Sequence, residues 1–162
     1  MSHTWKIFVD GAARGNPGKA GAGIYITNKN QSPIESGIYL GTKTNNQAEY
    51  LSLLFALFTI KKELKKQKIN FGNITTLTNI KIFSDSELLV KQMNGEYRVK
   101  NPILFKMKTL VDQLLENVSY KISHVLREKN KVADKLANIG IDKRQEIPIG
   151  FKKILSKSKI KI

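Results

Sequence analysis

Trp5-Lys6-Ile7-Phe8-Val9, closing on Asp10-Gly11, is the stretch from which the rest of the chain can be read. A run of β-branched and aromatic residues stopped by Asp-Gly predicts a short strand with a carboxylate at its end. Ala12-Ala13-Arg14-Gly15-Asn16-Pro17-Gly18 follows, dense in turn formers. Residues 21–27 read as a second strand, 28–32 as a polar turn and 34–41 as a third strand. Connections this short between consecutive strands predict an antiparallel meander.

Downstream the period changes. Asn45 or Asn46 caps a helix over 47–66, in which Ala48, Leu51, Leu54, Phe55 and Phe58 keep helical spacing. Lys61, Lys62, Lys65 and Lys66 gather at its end, where they suit the helix dipole. A Thr/Asn-rich linker over 70–79 leads to a fourth strand, 80–83, ending at Ser84-Asp85. Residues 86–93 read as a helix stopped by Asn94-Gly95, and Asn101-Pro102 opens another that runs to about Glu116. Residues 119–125 form a fifth strand, and 129–139 a last helix ended by Gly140. The order βββ-α-β-α-α-β-α predicts an α/β fold, a mixed five-stranded sheet flanked by helices.

Residues 1–142 are expected to form the domain, and 143–162 a basic tail. Residues 147–162 hold five lysines and no acid. The alternation Lys159-Ile160-Lys161-Ile162 would allow a strand, but this composition favours a disordered arm.

Composition narrows the partners. The 162 residues carry 28 Lys+Arg against 13 Asp+Glu, a formal charge of +15, which favours a polyanion such as nucleic acid. With no cysteine there is no disulfide framework, thiolate metal site or Cys nucleophile, and a reducing cytoplasm is the expected setting. His3 and His124 are too few for a histidine-built zinc centre. No signal-peptide pattern precedes the first strand, and the longest apolar stretch, 51–60, is too short to span a bilayer. A soluble protein with no membrane partner is expected.

In so basic a chain, the positions of the few acids are the informative feature. Asp10 ends the first strand, Asp85 follows the fourth, Glu49 sits in the first turn of the long helix, and Asp134 lies early in the last helix. Each acid alone reads as a cap or a solvated charge. Strand-end carboxylates of an α/β sheet converge on one edge, however, and a helix acid facing that edge completes a cluster. Four such charges repel unless cations intervene, and this number of hard oxygen ligands suits Mg²⁺ or Mn²⁺.

Four segments carry a resemblance. They are Asp10-Gly11-Ala12-Ala13-Arg14-Gly15-Asn16-Pro17-Gly18, Thr44-Asn45-Asn46-Gln47-Ala48-Glu49, Ser84-Asp85-Ser86, and Arg127-Glu128-Lys129-Asn130-Lys131-Val132-Ala133-Asp134-Lys135-Leu136-Ala137. In this order and spacing they resemble the signature segments of type 1 ribonuclease H, over about residues 5–140. The resemblance implies the ribonuclease H-like fold, with strand order 3-2-1-4-5 and strand 2 antiparallel to the rest. It implies an endoribonuclease, a monomer, that hydrolyses the RNA strand of RNA–DNA hybrids and leaves 5′-phosphate and 3′-hydroxyl ends. Its role would be removal of RNA primers and R-loops. Asp10, Glu49, Asp85 and Asp134 would be catalytic and hold two Mg²⁺ ions, with Mn²⁺ as a substitute and Asp10 bridging both.

For the substrate, the resemblance places Asn16, Asn45 and Asn46, with Gln47 as a further candidate, against the minor groove. Thr44 and Asn101 would grip a phosphate of the DNA strand. Asn16 also reads as a plain turn residue, and Asn45 and Asn101 as plain helix caps. Two departures stand out. Many bacterial members carry a Lys/Trp-rich helical protrusion where this chain has only residues 95–100. Members with a mobile loop after the fifth strand place a histidine in it, whereas His124 lies inside the strand itself. The short 127–130 connection resembles the branch of the family that lacks this histidine, which implies an auxiliary part for Arg127 or Glu128. Double-stranded RNA is a further candidate substrate. No separate hybrid-binding module is expected ahead of the first strand. The competing readings are a non-catalytic nucleic-acid-binding module, which would tend to lose carboxylates, and a transposase, integrase or resolvase relative, which would lack the 44–49 segment.

Overall fold

β1 (His3–Gly15) is the central strand of a five-stranded sheet in the computed structural model of the chain, which describes residues 3–67 and 78–162. It pairs antiparallel with β2 (Gly18–Asn28), which pairs antiparallel with β3 (Gln31–Lys43). On its other side it runs parallel to β4 (Thr78–Ser84), and β4 runs parallel to β5 (Ser119–His124). The order β3-β2-β1-β4-β5, with β2 alone antiparallel, is the expected one. The first three strands are longer than their apolar runs suggest. Residues 12–14 continue β1, and only Gly15 to Gly18 turn, with Gly15 at φ 100°. Of the linker expected over 70–79, residues 70–77 lie outside the described residues.

α1 (Asn45–Lys66) crosses the sheet with Leu51, Leu53, Leu54, Ala56 and Leu57 all buried. A helix buried around most of its circumference is a central element, covered on both sides. Its cap is Thr44, not Asn45 or Asn46. The Thr44 hydroxyl accepts the Gln47 N–H at 3.1 Å while the Gln47 side chain accepts the Thr44 N–H at 2.9 Å, a complete capping box. α2 (Glu87–Met93) is capped by Ser86 and stops at Asn94-Gly95, with Gly95 at φ 76°. Residues 94–101 join it to α3 (Pro102–Leu114) without an intervening helix.

α4 (Lys131–Asp142) covers β2 and β3 from the face opposite α1, after one 3-10 turn at Arg127–Lys129. It runs through Gly140, the residue expected to end it. A Cβ on Gly140 would fall 2.6 Å from the Ile38 carbonyl oxygen, so the glycine serves close helix–sheet approach rather than capping.

The tail expected to be disordered instead folds. α5 (Ile149–Lys157) buries Phe151 and Leu155, and the Phe151 ring lies 5.5 Å from those of both Phe55 and Phe58 on α1. Phe151, Ile154 and Leu155 make a helical stripe that the five lysines obscure in the composition. The helix ends in a Schellman turn, with Lys159 N–H donating to Ser156 and Ile160 N–H to Leu155. Lys159 takes the left-handed position at φ 58°, where glycine is favoured by about 1 kcal/mol. Among the described residues no helix is long and apolar enough to cross a membrane.

Candidate metal and nucleic-acid site

Asp10 pairs with Gly23 on β2, and its predecessor Val9 with Ser84 on β4. The parallel β1–β4 pair therefore delivers Asp10 and Asp85 to the same edge of the sheet. The Ser-Asp-Ser sequence shapes the second of these ends. Ser84 Oγ accepts the Ser86 N–H at 3.0 Å, and Ser86 Oγ accepts the Leu89 N–H at 3.2 Å to cap α2. Asp85 is thereby held in a tight turn between strand and helix.

Glu49 arrives from the first turns of α1. That helix can approach β1 because position 11 is glycine: a Cβ there would lie 2.1 Å from the Ala48 carbonyl carbon. The Gly11 N–H donates to Glu49 Oε1 at 3.1 Å and fixes the carboxylate beside Asp10. One ligand oxygen from each of Asp10, Glu49 and Asp85 falls within 4.8 Å of the others. Asp10 and Glu49 are buried, at 5% and 8% exposure, and Asp85 is half-buried.

Asp134 borders this group from α4 and reaches the Asp10 carboxyl. The Asn138 amide donates to the Asp134 carbonyl at 3.0 Å and lies 3.4 Å from its Oδ1. All four predicted acids are thus brought together, three tightly and the fourth at the margin.

The electrostatics are those of an anion cluster short of positive charge. Burial first, then the Glu49 and Asp85 carboxylates, pushes Asp10 far above the ordinary carboxylate range. Burial and Asp85 push Glu49 up as well, against the opposing pull of the Gly11 N–H, the Asp10 carboxyl and the Arg127 guanidinium. Glu49 Oε2 is buried without a hydrogen-bond partner. An unpartnered carboxylate oxygen facing two further acids is a poor arrangement for protein alone and a good one for a hard divalent cation. The donor set fits such a metal.

The polar candidates divide. Asn16 Oδ1, in the β1–β2 turn, accepts the Asn45 N–H at 3.0 Å, so the hairpin tip and the start of α1 form one surface with exposed Asn46 beside it. Thr44 caps α1, and Asn101 caps α3 by accepting the N–H groups of Ile103 and Leu104 at 2.9 and 3.1 Å. Arg127 acts on Glu49, whereas Glu128 lines a shallow cleft with Phe8 and Tyr25, apart from the acids. His124 ends β5, where its Nε2 lies 3.3 Å from the Asp85 carbonyl and is the protonated nitrogen if it donates there.

Sequence reasoning passes over Asn130. An Asn ahead of a helix reads as a cap, yet this side chain makes no cap bond. Its amide donates instead to the Val9 carbonyl at 2.9 Å, tying the start of α4 to the strand end that carries Asp10. Only the packing of α4 on the sheet shows this.

Comparison with known proteins agrees with the fold. The family model described as reverse transcriptase-like matches residues 8–140. The ribonuclease HI of Halobacterium salinarum is 34% identical over 137 residues, which are 83% of this chain and 63% of that protein. The chain belongs to the type 1 ribonuclease H family. The bifunctional protein Rv2228c of Mycobacterium tuberculosis is 35% identical over 140 residues, covering 84% of this chain and 35% of its own length. The chain thus spans between about a third and two thirds of these two relatives. Among solved ribonuclease H structures, LC11-RNase H1 in complex with an RNA/DNA hybrid matches with a TM-score of 0.75 at 37% identity. The match covers 86% of this chain and 97% of that one.

Proposed function

We propose that this chain is an endoribonuclease that hydrolyses the RNA strand of RNA–DNA hybrids and leaves 5′-phosphate and 3′-hydroxyl ends. The convergence of Asp10, Glu49 and Asp85 within 4.8 Å, at the edge where the family signatures meet, carries this reading.

Asp10, Glu49, Asp85 and Asp134 would hold two Mg²⁺ ions, or Mn²⁺ in their place. When bound, such ions supply charge neutralisation at the phosphate and an acidified water for in-line attack. The chain's own contribution is placement. Gly11 orients Glu49, the two serines orient Asp85, and Asn130 fixes the approach of α4 with Asp134. Arg127, close enough to favour the ionised form of Glu49, is the auxiliary group. Asn16 and Asn45, joined by a hydrogen bond, form with Asn46 a polar ledge suited to the minor groove, where a 2′-hydroxyl is read. Thr44 and Asn101 serve as caps with their side-chain oxygens already engaged. A DNA phosphate would instead accept from the Thr44 hydroxyl proton and the Asn101 side-chain amide nitrogen, the donors that capping leaves over. The basic surplus holds the duplex, and the absence of cysteine suits a reducing cytoplasm. Removal of primers and R-loops would be the role.

Cleavage of an end-labelled RNA–DNA hybrid with Mg²⁺ tests the proposal, with duplex RNA and a DNA duplex containing one ribonucleotide in parallel. Cutting of the hybrid's RNA strand, abolished in Asp10→Asn, is the expected result. Hybrid binding without any cleavage would assign the chain to the non-catalytic class instead.

A further inference from the structure

The sheet has an open face. β1, β4 and β5 turn Ile7, Val9, Ile82 and Ile122 into the core shared with α1. Strand alternation sends Lys6, Phe8, Lys81, Phe83, Lys121 and Ser123 to the opposite side. There the three lysines are exposed and the two phenylalanines half-buried. α4 packs on this side of the sheet over β2, β3 and β1. The helix that packs on β4 and β5 is α2, and it stands on the α1 side, where the Tyr50 hydroxyl donates to Gln92 at 2.7 Å.

Two rungs cross the open face. In the first, Lys6 pairs with Lys81 and Lys81 with Lys121, so three ammonium-bearing side chains sit on adjacent strands about 4.8 Å apart. Like charges placed directly opposite each other destabilise a sheet. Among the described residues the ion pairs are Arg14–Asp142, Lys91–Glu87 and Lys108–Asp112, so none of these three lysines has an anionic partner. The acids nearest in the pairing are Glu35, opposite Tyr25 on β3, and Glu128, beside Phe8 and Tyr25. Both stand on the β3 and α4 side, away from β4 and β5.

The second rung lies two residues along the strands. Tyr25 pairs with Phe8, Phe8 with Phe83, and Phe83 with Ser123. The Phe8 and Phe83 rings stack with centroids 4.9 Å apart, and Tyr25 lies 6.0 Å from Phe8. The row ends at Ser123, whose side chain is too small to cover the outer face of the Phe83 ring. An aromatic row beside an unneutralised lysine row offers base stacking and phosphate charge together. A duplex keeps its base faces in its own stack, so this surface suits unpaired bases. Asn16, Asn45 and Thr44 lie beyond the far end of β1, so the face is separate from the polar ledge described above.

We propose that this face binds single-stranded nucleic acid through Lys6, Lys81, Lys121 and the Phe8–Phe83 stack. Phosphates follow the lysine rung, and a base extends the ring stack over Ser123. Charge and stacking select neither sugar, so the strand is DNA or RNA.

Fluorescence anisotropy with labelled oligothymidylate and oligouridylate, in EDTA so that nothing is cut, tests the proposal and identifies the preferred sugar. Wild type is expected to bind, with an affinity that falls as salt rises. In the triple variant Lys6→Gln, Lys81→Gln, Lys121→Gln the affinity should drop at least about tenfold at moderate salt. The slope of log affinity against log salt should shrink by about 0.7 for each phosphate no longer neutralised. Its melting temperature should not fall, because a row of like charges has been removed. The double variant Phe8→Leu, Phe83→Leu should lose about fivefold or more in affinity with the slope unchanged, since the lysines remain. Lys29→Gln, a charge removed from the β2–β3 turn, should change neither quantity. Unchanged affinity and slope in the lysine variant would overturn the proposal. An equal drop in its affinity for a blunt-ended RNA–DNA hybrid would place the lysines in the duplex site and overturn it too. Polyglutamate bound as tightly as the oligonucleotides, and indifferent to the phenylalanine variant, would give the face to an acidic protein segment instead. No arm depends on cleavage, so a protein that cuts nothing can still uphold this face, and one that cuts hybrids can still fail here.

Discussion

The Gly11 N–H donates to Glu49 Oε1 across 3.1 Å, joining two residues 38 positions apart in the chain. This bond sets the carboxylate cluster, because it holds an α1 side chain against the end of β1 where a larger residue at position 11 would not fit. Gly11→Ala places a methyl 2.1 Å from the Ala48 carbonyl carbon, a backbone atom that cannot swing aside. Displacing α1 is expected to cost about 1–3 kcal/mol of stability. Hybrid cleavage should fall at least about tenfold, since small misplacements at a reacting centre carry large penalties. Urea unfolding and cleavage rates check both. Wild-type stability and activity in Gly11→Ala would mean that the two elements do not meet as described.

Asp10→Asn should separate activity from stability. The substitution replaces a carboxyl that folding forces out of its ionised form with a neutral amide, so the protein in EDTA at neutral pH is expected to melt about 2–4 °C higher than wild type. Cleavage is expected to vanish, and the thermal gain from added Mg²⁺ to shrink. A lower melting temperature in EDTA would show that the Asp10 carboxylate is compensated within the protein.

The same cluster predicts a pH dependence. Folding raises the proton affinity of Asp10 and Glu49, so the folded state binds more protons than the unfolded chain. Their contribution to stability is complete below the ordinary carboxylate range, near pH 4, and is lost as pH rises through their elevated folded values. A divalent cation removes that loss by binding the ionised form. The difference in melting temperature between Mg²⁺ and EDTA should therefore widen from pH 5 to pH 9. A constant or narrowing difference would count against metal binding at these residues.

What is legible in the sequence depends on whether the signal is local. Asp10, Glu49, Asp85 and Asp134 each sit in a short motif at an element's end, and the order of elements brings such ends together. The element order gives a mixed five-stranded sheet, and the order of strands within it comes with the family resemblance. What the sequence hides is set by distant packing. Gly140 looks like a helix stop but faces the Ile38 backbone, and Asn130 looks like a cap but bonds to Val9 across 121 positions. Thr44 is a different case, since Asn45 and Asn46 look like the better caps by residue type. Its capping box with Gln47 can nevertheless be found from the spacing alone.

The C-terminal helix gives the sharpest test of the fold, because five lysines hide the residue that anchors it. Phe151 is 1% exposed and packs between Phe55 and Phe58 on α1, the helix that also delivers Glu49. Phe151→Ala leaves a large void beneath α5 and is expected to cost about 3–5 kcal/mol. Its effect should extend beyond the tail. With α5 loosened, α1 loses the packing behind Phe55 and Phe58 that backs the helix delivering Glu49, so hybrid affinity should fall together with stability. Calorimetry and hybrid binding below the variant's melting temperature measure the two effects. A variant of near-wild-type stability would mean that the segment does not pack on α1, and the disordered arm expected from composition would be correct.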